Sequence, residues 1–400
     1  MDFSRSGNNN KPPIIIFRNE LLPYSETFIP NQVNSLSNYD PYYVGTKLID
    51  NPQLDRAKVI VPFQGKSRIY RQLFTRTGYI WQGWLNRIKK IDAKLIHAHF
   101  GIDGVLALPL AQKTGLPLLV TFHGYDVTSQ DCSKYVPGWN YQTYEKGRQL
   151  LFDKAQSFIA VSNFIRDRLI AKGCPAEKII VHYIGIDTVK FKPDPTVKRK
   201  PVVLFVGRLT EKKGCEYLIR AMARVQSVMP EVKLVIIGDG HLRQELEQLA
   251  AKLLLSYSFL GAQPPEIVKT WMNQSRLLAV PSVTATTGDT EGAPMVVLEA
   301  QAMGLPVVGS IHAGIPELLL EGETGLLARE RDWKNIAEHI LYIIKNDNFR
   351  HKLSHQGQER VNTSFNLHTQ TQALEKIYDS LIVREKEQTN TSLTFSEQLI

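Results

Sequence analysis

The chain reads as an α/β protein built from two doubly wound halves that face each other across a cleft. Three observations predict this. Short apolar runs alternate with amphipathic stretches from Ile14 onward. A segment rich in proline and charge, Phe191–Pro201, breaks the alternation near mid-chain and reads as a linker. Beyond it the same alternation starts again. Strand–helix alternation builds a parallel sheet covered on both faces. Such sheets bind ligands beyond the carboxyl ends of their strands, so two facing halves collect their strand-end loops in one cleft. A length of 400 residues suits two such domains.

The first half is placed at residues 12–192. Its strands are expected at Ile14–Phe17, Tyr42–Gly45, Val59–Phe63, Lys94–His99, Leu118–Phe122, Ser157–Val161 and Ile179–Tyr183. Each is a short apolar run bounded by turn residues. Residues 1–11 read as disordered. Ser25, Glu26 and Thr27 mark a helix start after the first strand. The second half is placed at 200–365. Strands at Val202–Val206, Lys233–Ile237, Phe259–Leu260, Leu277–Val280, Leu305–Val308 and Thr324–Ala328 alternate with helices. A last helix is expected within 366–384, and a polar tail at 385–400.

Composition narrows the function classes. With 43% hydrophobic and 22% charged residues this is an ordinary globular chain, and no apolar run reaches the ~20 residues of a membrane span. The opening MDFSRSGNNNKPP lacks the apolar core of a secretory signal, so a cytoplasmic location is expected. Cys132, Cys174 and Cys215 are odd in number and far apart, which fits neither a disulfide framework nor a zinc site. The net charge is +9. Much of the excess lies in 66–94, where Lys66, Arg68, Arg71, Arg76, Arg87, Lys89, Lys90 and Lys94 face only Asp92. Tyr70, Leu73, Phe74, Ile80, Trp81, Trp84, Leu85 and Ile88 thread through it at helical spacing. A basic amphipathic helix with tryptophan either rests on an anionic membrane surface or packs its apolar face on the core. No nucleic-acid module is visible.

The chain is organised around Leu277–Ile315. A buried strand, a Ser/Thr/Gly loop (Ser282–Gly292) and a helix opening at Pro294 follow one another. Proline suits the first helical position, and the exposed N–H groups there suit a phosphate. Glu291 and Glu299 frame this helix start. Glu299 would lie roughly 7.5 Å along the helix, so the two face different parts of a ligand. The spacing alone is weak, since Glu330 and Glu338 repeat it by accident; the flanking strand, Gly292-Ala293-Pro294-Met295 and the helix give it meaning. Gly207-Arg208…Lys213-Gly214 leaves a strand and enters a helix. An arginine fork and a lysine point charge in one turn suit a diphosphate. Gly238-Asp239-Gly240 is a tight turn rather than a dinucleotide fingerprint. His123 follows a strand and precedes Gly124, which places it at the cleft. His97 and His99 lack a third partner for a metal.

These residues resemble family 4 glycosyltransferases of the GT-B fold. The resemblance rests on Gly207-Arg208…Lys213-Gly214, the E-x7-E pair Glu291/Glu299, Gly314-Ile315-Pro316-Glu317 and Gly322-Glu323-Thr324-Gly325. Ser25-Glu-Thr-Phe28, His97-Ala-His-Phe-Gly101, Thr121-Phe-His-Gly-Tyr-Asp126 and Thr287–Gly292 are similar to colanic-acid and amylovoran-type exopolysaccharide glycosyltransferases. The resemblance implies a metal-independent, retaining transfer with no cofactor, from a nucleotide-diphosphate sugar to a glycan or lipid-linked glycan. Arg208 and Lys213 would hold the diphosphate and Glu299 the ribose. Glu291 with Gly292, Ala293, Pro294 and Met295 would hold the sugar, His123 would touch it near the reacting carbon, and Gly261–Gln263 would lie near the base. The resemblance also implies a last helix that crosses back to the first half. The Gly-Gly pair common after the first strand is replaced by Arg18–Ser25, so no acceptor base is assigned. A sugar-nucleotide 2-epimerase of the same architecture and a non-catalytic sugar-nucleotide binder are the rival readings.

Overall fold

The computed structural model describes residues 11–21, 26–49, 55–62, 67–129 and 141–397. Residues 1–10, Leu22–Ser25, Phe63–Lys66 and Cys132 therefore lie outside the described residues. The strands are β1 (Pro13–Phe17), β2 (Glu20–Leu21), β3 (Asp40–Val44), β4 (Lys47–Leu48), β5 (Val59–Ile60), β6 (Ile96–His99), β7 (Leu118–Phe122), β8 (Ser157–Ala160), β9 (Ile179–Val181), β10 (Val202–Val206), β11 (Lys233–Ile237), β12 (Tyr257–Phe259), β13 (Leu277–Val280), β14 (Val307–Ser310) and β15 (Gly325–Ala328). They form a seven-stranded sheet in the order β5-β3-β1-β6-β7-β8-β9 and a six-stranded sheet in the order β12-β11-β10-β13-β14-β15, with β2-β4 as a small pair. All pairings are parallel; Ile15 sits opposite Ile96, and Val203 opposite Leu277.

Parallel strands buried on both faces read as unbroken apolar runs. Ile14, Ile15 and Ile16 in β1 and Val203, Leu204 and Phe205 in β10 are all buried, with successive residues serving opposite faces of their sheets. In each sheet the winding direction reverses beside the first strand of its half, between β1 and β6 and between β10 and β13. These are the switch points where such sheets bind ligands.

Two crossings join the halves side by side. Ile186 N donates to the Phe365 carbonyl at 2.8 Å, and Leu367 N donates back to Ile186 at 2.9 Å. The last helix, Leu367–Glu397, then lies on the first half. Leu374, Tyr378 and Leu381 pack with Ile14, Ile16 and Leu119. Glu375 accepts from Ser37 N at 2.6 Å and Asn38 N at 2.7 Å, and Tyr39 donates to Asp379 at 2.6 Å.

The expected basic helix is two helices, Ser67–Thr77 and Gln82–Lys89. Gly78, at φ +68°, breaks them apart. Its apolar side is also divided. Phe74, Ile80, Trp84, Leu85 and Ile88 are core, whereas Ile69, Tyr70, Leu73, Tyr79 and Trp81 are exposed. The helix Asp347–Ser364 has no counterpart in the sequence reading, because its run of polar residues hides a narrow buried stripe of Leu353, Gly357 and Val361.

Candidate active site

The second-half wall of the cleft is built mainly from two strand ends. After β10, Gly207 and Arg208 lead into a short turn that delivers Lys212 and Lys213. Gly214 ends the turn at φ +62°, and a Cβ there would sit 1.9 Å from the Pro281 carbonyl. Only glycine therefore lets this turn close against the end of β13. After β13 the loop runs to Pro294, and the helix Met295–Ala302 begins with no side chain capping its N–H groups.

Lys213 Nζ lies 2.7 Å from Glu291 Oε1, and Ser282 Oγ donates to the same oxygen at 3.2 Å. Lys212 turns away and ties Asp289 at 3.0 Å and the Thr290 carbonyl at 3.2 Å, fixing the loop. Burial pushes the Glu291 carboxyl up, but Lys213 and Lys212 outweigh it and bring it to about 2. Glu299 behaves oppositely. Enclosure pushes its carboxyl up to about 7, with Lys190 the one charge pulling down.

Lys213, Glu291 and Glu299 open onto a cleft of about 1400 Å³. His123, Gly207, Arg208, Lys213, Glu291, Gly292, Ala293, Pro294, Met295 and Glu299 line it together. Gly261 stands one residue behind the wall. Its carbonyl accepts from Gly238 N at 2.8 Å, while Ala262 and Gln263 line the cleft.

The two halves touch at the base of the cleft. A Cβ on Gly292 would meet the His123 carbonyl at 1.9 Å, and Ser162 Oγ donates to the Gly292 carbonyl at 3.1 Å. Glu317 caps the first-half helix Asn163–Ala171, accepting from Asn163 N at 2.7 Å, Phe164 N at 2.9 Å and Tyr183 OH at 2.7 Å.

His123 sits in an aromatic cage, with Phe100 at 4.5 Å and Phe28 at 5.0 Å between ring centroids. Its Nε2 is 3.2 Å from His99 Nδ1. His99 Nε2 is buried with no partner among the described residues. A buried N–H without an acceptor costs more than a buried lone pair without a donor. The proton therefore sits on His99 Nδ1, and His123 Nε2 accepts it. Burial holds both imidazoles below their ordinary range, with neighbouring histidines and Arg18 adding to it. His97 is spent between Tyr378 OH and Thr121 Oγ1, both at 2.7 Å. Among the described residues no three His, Cys, Asp or Glu side chains stand where they could share a metal ion.

Sequence reasoning missed other first-half residues at the cleft. Arg18 grips Glu26 through Nε (2.9 Å) and Nη2 (2.7 Å) and reaches buried Asp103 through Nη1 (2.5 Å). Its guanidinium lies 4.4 Å from the Phe100 ring centroid, and Phe100 itself is held at φ +71°. The position of Arg18 just after β1 was the available signal, since strand-end residues had already singled out His123. Also missed were His312 and Glu330 behind the donor loop. Burial pulls Glu330 upward, but Thr284 and His312 outweigh it and hold its carboxyl below the ordinary range.

Two parallel sheets, paired switch points and a shared cleft define the GT-B architecture. Anabaena HepE in complex with UDP-glucose matches it with a TM-score of 0.73, over 92% of this chain and 99% of that one, at 22% identity. Sucrose-phosphate synthase of Thermosynechococcus elongatus gives a TM-score of 0.71 over 94% and 100%, at 20% identity. At such identities the likeness is one of fold. Residues 44–190 match Glycosyltransferase Family 4, and residues 187–360 match Glycosyl transferases group 1. The amylovoran biosynthesis glycosyltransferase AmsK of Erwinia amylovora is 32% identical over 73% of this chain and 72% of its own. A GDP-mannose-dependent alpha-(1-6)-phosphatidylinositol monomannoside mannosyltransferase of Mycolicibacterium smegmatis is 30% identical over 58% of this chain and 63% of its own. The chain belongs to the family 4 glycosyltransferases.

Proposed function

We propose that the protein transfers a hexose from a nucleotide-diphosphate sugar to a glycan or lipid-linked glycan in exopolysaccharide synthesis, without a metal and with retention at the reacting carbon. The carrying observation is convergence. Arg208, Lys213 and the uncapped start of the helix Met295–Ala302 share one cleft, beside Glu291. Negative charge grows on the diphosphate as the sugar leaves. Preplaced cations and N–H groups stabilise that charge without reorganising, and here they take the role elsewhere given to a metal. Glu299 accepts from the ribose, Glu291 from the sugar hydroxyls, and His123 stands at the sugar. The carboxylates of Glu26 and buried Asp103 are both committed to Arg18. The family resemblance implies attack from the leaving-group side with retention, in which the departing phosphate oxygen takes the acceptor proton.

AmsK's name supports an exopolysaccharide product. The base stays open, since one similar protein holds UDP-glucose and another is named for GDP-mannose. The acceptor is read as reaching the cleft from an anionic membrane on the cytoplasmic side. One side of the helix Ser67–Thr77 gives Arg71 and Arg76 to the cleft, while Ile69, Tyr70 and Leu73 stay exposed beside it. No described helix is long and apolar enough to cross a membrane.

The test incubates the protein with UDP- and GDP-sugars and a lipid-linked acceptor fraction, following product by mass spectrometry and anomeric configuration by NMR. A longer glycan with the donor's configuration is expected, abolished by Arg208→Ala and Glu291→Ala. An isomerised donor would replace transfer by 2-epimerisation. Binding without turnover would reduce the protein to a sugar-nucleotide binder. For the membrane reading, wild type should sediment with phosphatidylglycerol liposomes and a variant with Arg71, Arg76, Arg87, Lys89 and Lys90 reversed to Glu should not; equal sedimentation refutes it.

A further inference from the structure

The donor loop hangs on a relay that runs from Glu330 through His312 to the backbone of Glu291. His312 follows β14 and is buried. Its Nδ1 lies 2.6 Å from Glu330 Oε1. A carboxylate only accepts, so Nδ1 carries the proton. The neutral ring then presents a lone pair at Nε2, and the backbone N–H of Glu291 donates to it at 3.2 Å. Glu330 is itself fixed, accepting from Thr284 N at 2.9 Å and Thr284 Oγ1 at 3.0 Å. Thr284 and Glu291 stand near opposite ends of the loop 282–292. One carboxylate thus anchors the loop twice, directly at Thr284 and through an imidazole at Glu291.

We infer that His312 and Glu330 are positioning residues for donor-sugar recognition: they hold the Glu291 backbone so that its carboxylate stays on Lys213 and turned to the sugar. This rests on the reading of Glu291 as the sugar-binding carboxylate. In the nucleotide half of the site, Arg208 and Glu299 make no contact with the relay, and Lys213, although paired with Glu291, is carried on the separate turn Glu211–Lys213. The relay therefore governs the extra affinity of a nucleotide sugar over its bare nucleoside diphosphate.

The two nitrogens of His312 can be mimicked separately. Glutamine places an oxygen near Nε2 and keeps an acceptor for Glu291 N–H. Asparagine places its amide near Nδ1, keeps Glu330 and loses Glu291. Wild type, His312→Gln and His312→Asn are titrated with UDP, UDP-glucose, GDP and GDP-mannose by calorimetry. The asparagine variant should lose about tenfold in nucleotide-sugar affinity, the worth of one buried hydrogen bond, and keep its nucleoside diphosphate affinity. The glutamine variant, cut off from Glu330 but still accepting from Glu291 N–H, should fall between wild type and the asparagine variant for the nucleotide sugar and keep wild-type diphosphate affinity. Equal behaviour of the two variants, or a parallel loss of diphosphate and sugar nucleotide in the asparagine variant, overturns the inference. If wild type binds none of the four ligands, the donor reading fails first and takes this one with it. Should the variants not fold, the 15N shifts of the His312 ring in wild type decide: protonation at Nδ1 alone is expected, and an Nε2–H tautomer refutes the relay.

Discussion

Glu299→Gln should gain heat stability relative to the wild type as pH rises from 5 to 8 in the unliganded protein, and should weaken donor binding. Enclosure at the cleft wall lifts the Glu299 carboxyl from its ordinary 4.5 to about 7. The folded state therefore holds that proton more tightly than the unfolded chain does. Below about pH 4.5 both states keep it and nothing is lost. As pH rises through 7 the folded state must carry an enclosed, unpaired carboxylate, and stability falls. A rise of this size corresponds to about 3 kcal/mol, and partial opening to cleft water trims it to about 2. About 1.5 kcal/mol of this falls between pH 5 and pH 8, so at about 2–4 °C per kcal/mol for a domain of this size the gap in Tm between variant and wild type should widen by about 3–6 °C over that range. Thermal unfolding of both proteins at constant ionic strength across that range is the assay. Only the change in the gap matters, since the swap itself adds a constant offset. Parallel curves would show that Glu299 titrates as a solvated carboxylate and is not enclosed as described.

Arg18→Ala leaves buried Asp103 without its cation and should cost about 3–5 kcal/mol, read from urea denaturation. Gly292→Ala puts a methyl 1.9 Å from the His123 carbonyl, so the halves must part; small-angle scattering should show a more open molecule, with donor affinity reduced. Tyr378→Phe removes the hydroxyl at His97 Nδ1 and should lower stability by about 1–3 kcal/mol, the range for a stranded buried polar group.

By itself the sequence determined the alternation, the two halves and the grouping of Arg208, Lys213, Glu291 and Glu299 proposed here for the donor. These are local properties. An apolar run buried on both faces can be recognised without its neighbours, and β10, β11 and β13 fall where Val202–Val206, Lys233–Ile237 and Leu277–Val280 were expected. A turn such as Gly207–Gly214 keeps its cations within a few residues of each other. Tertiary structure decided whatever depends on residues distant in the chain. Arg18 lies 85 positions from Asp103, and only the adjacency of β1 and β6 at the switch point brings them together. Glu330, whose spacing to Glu338 was an accident, matters through His312, 18 positions away on the neighbouring strand's end. The basic segment 66–94 shows the same limit. Periodicity marked its apolar residues as one stripe, but only packing separates Phe74 and Trp84, which fill the core, from Leu73 and Trp81, which face outward. Hydrophobic spacing says which residues avoid water; which of them find a partner is settled by the rest of the fold.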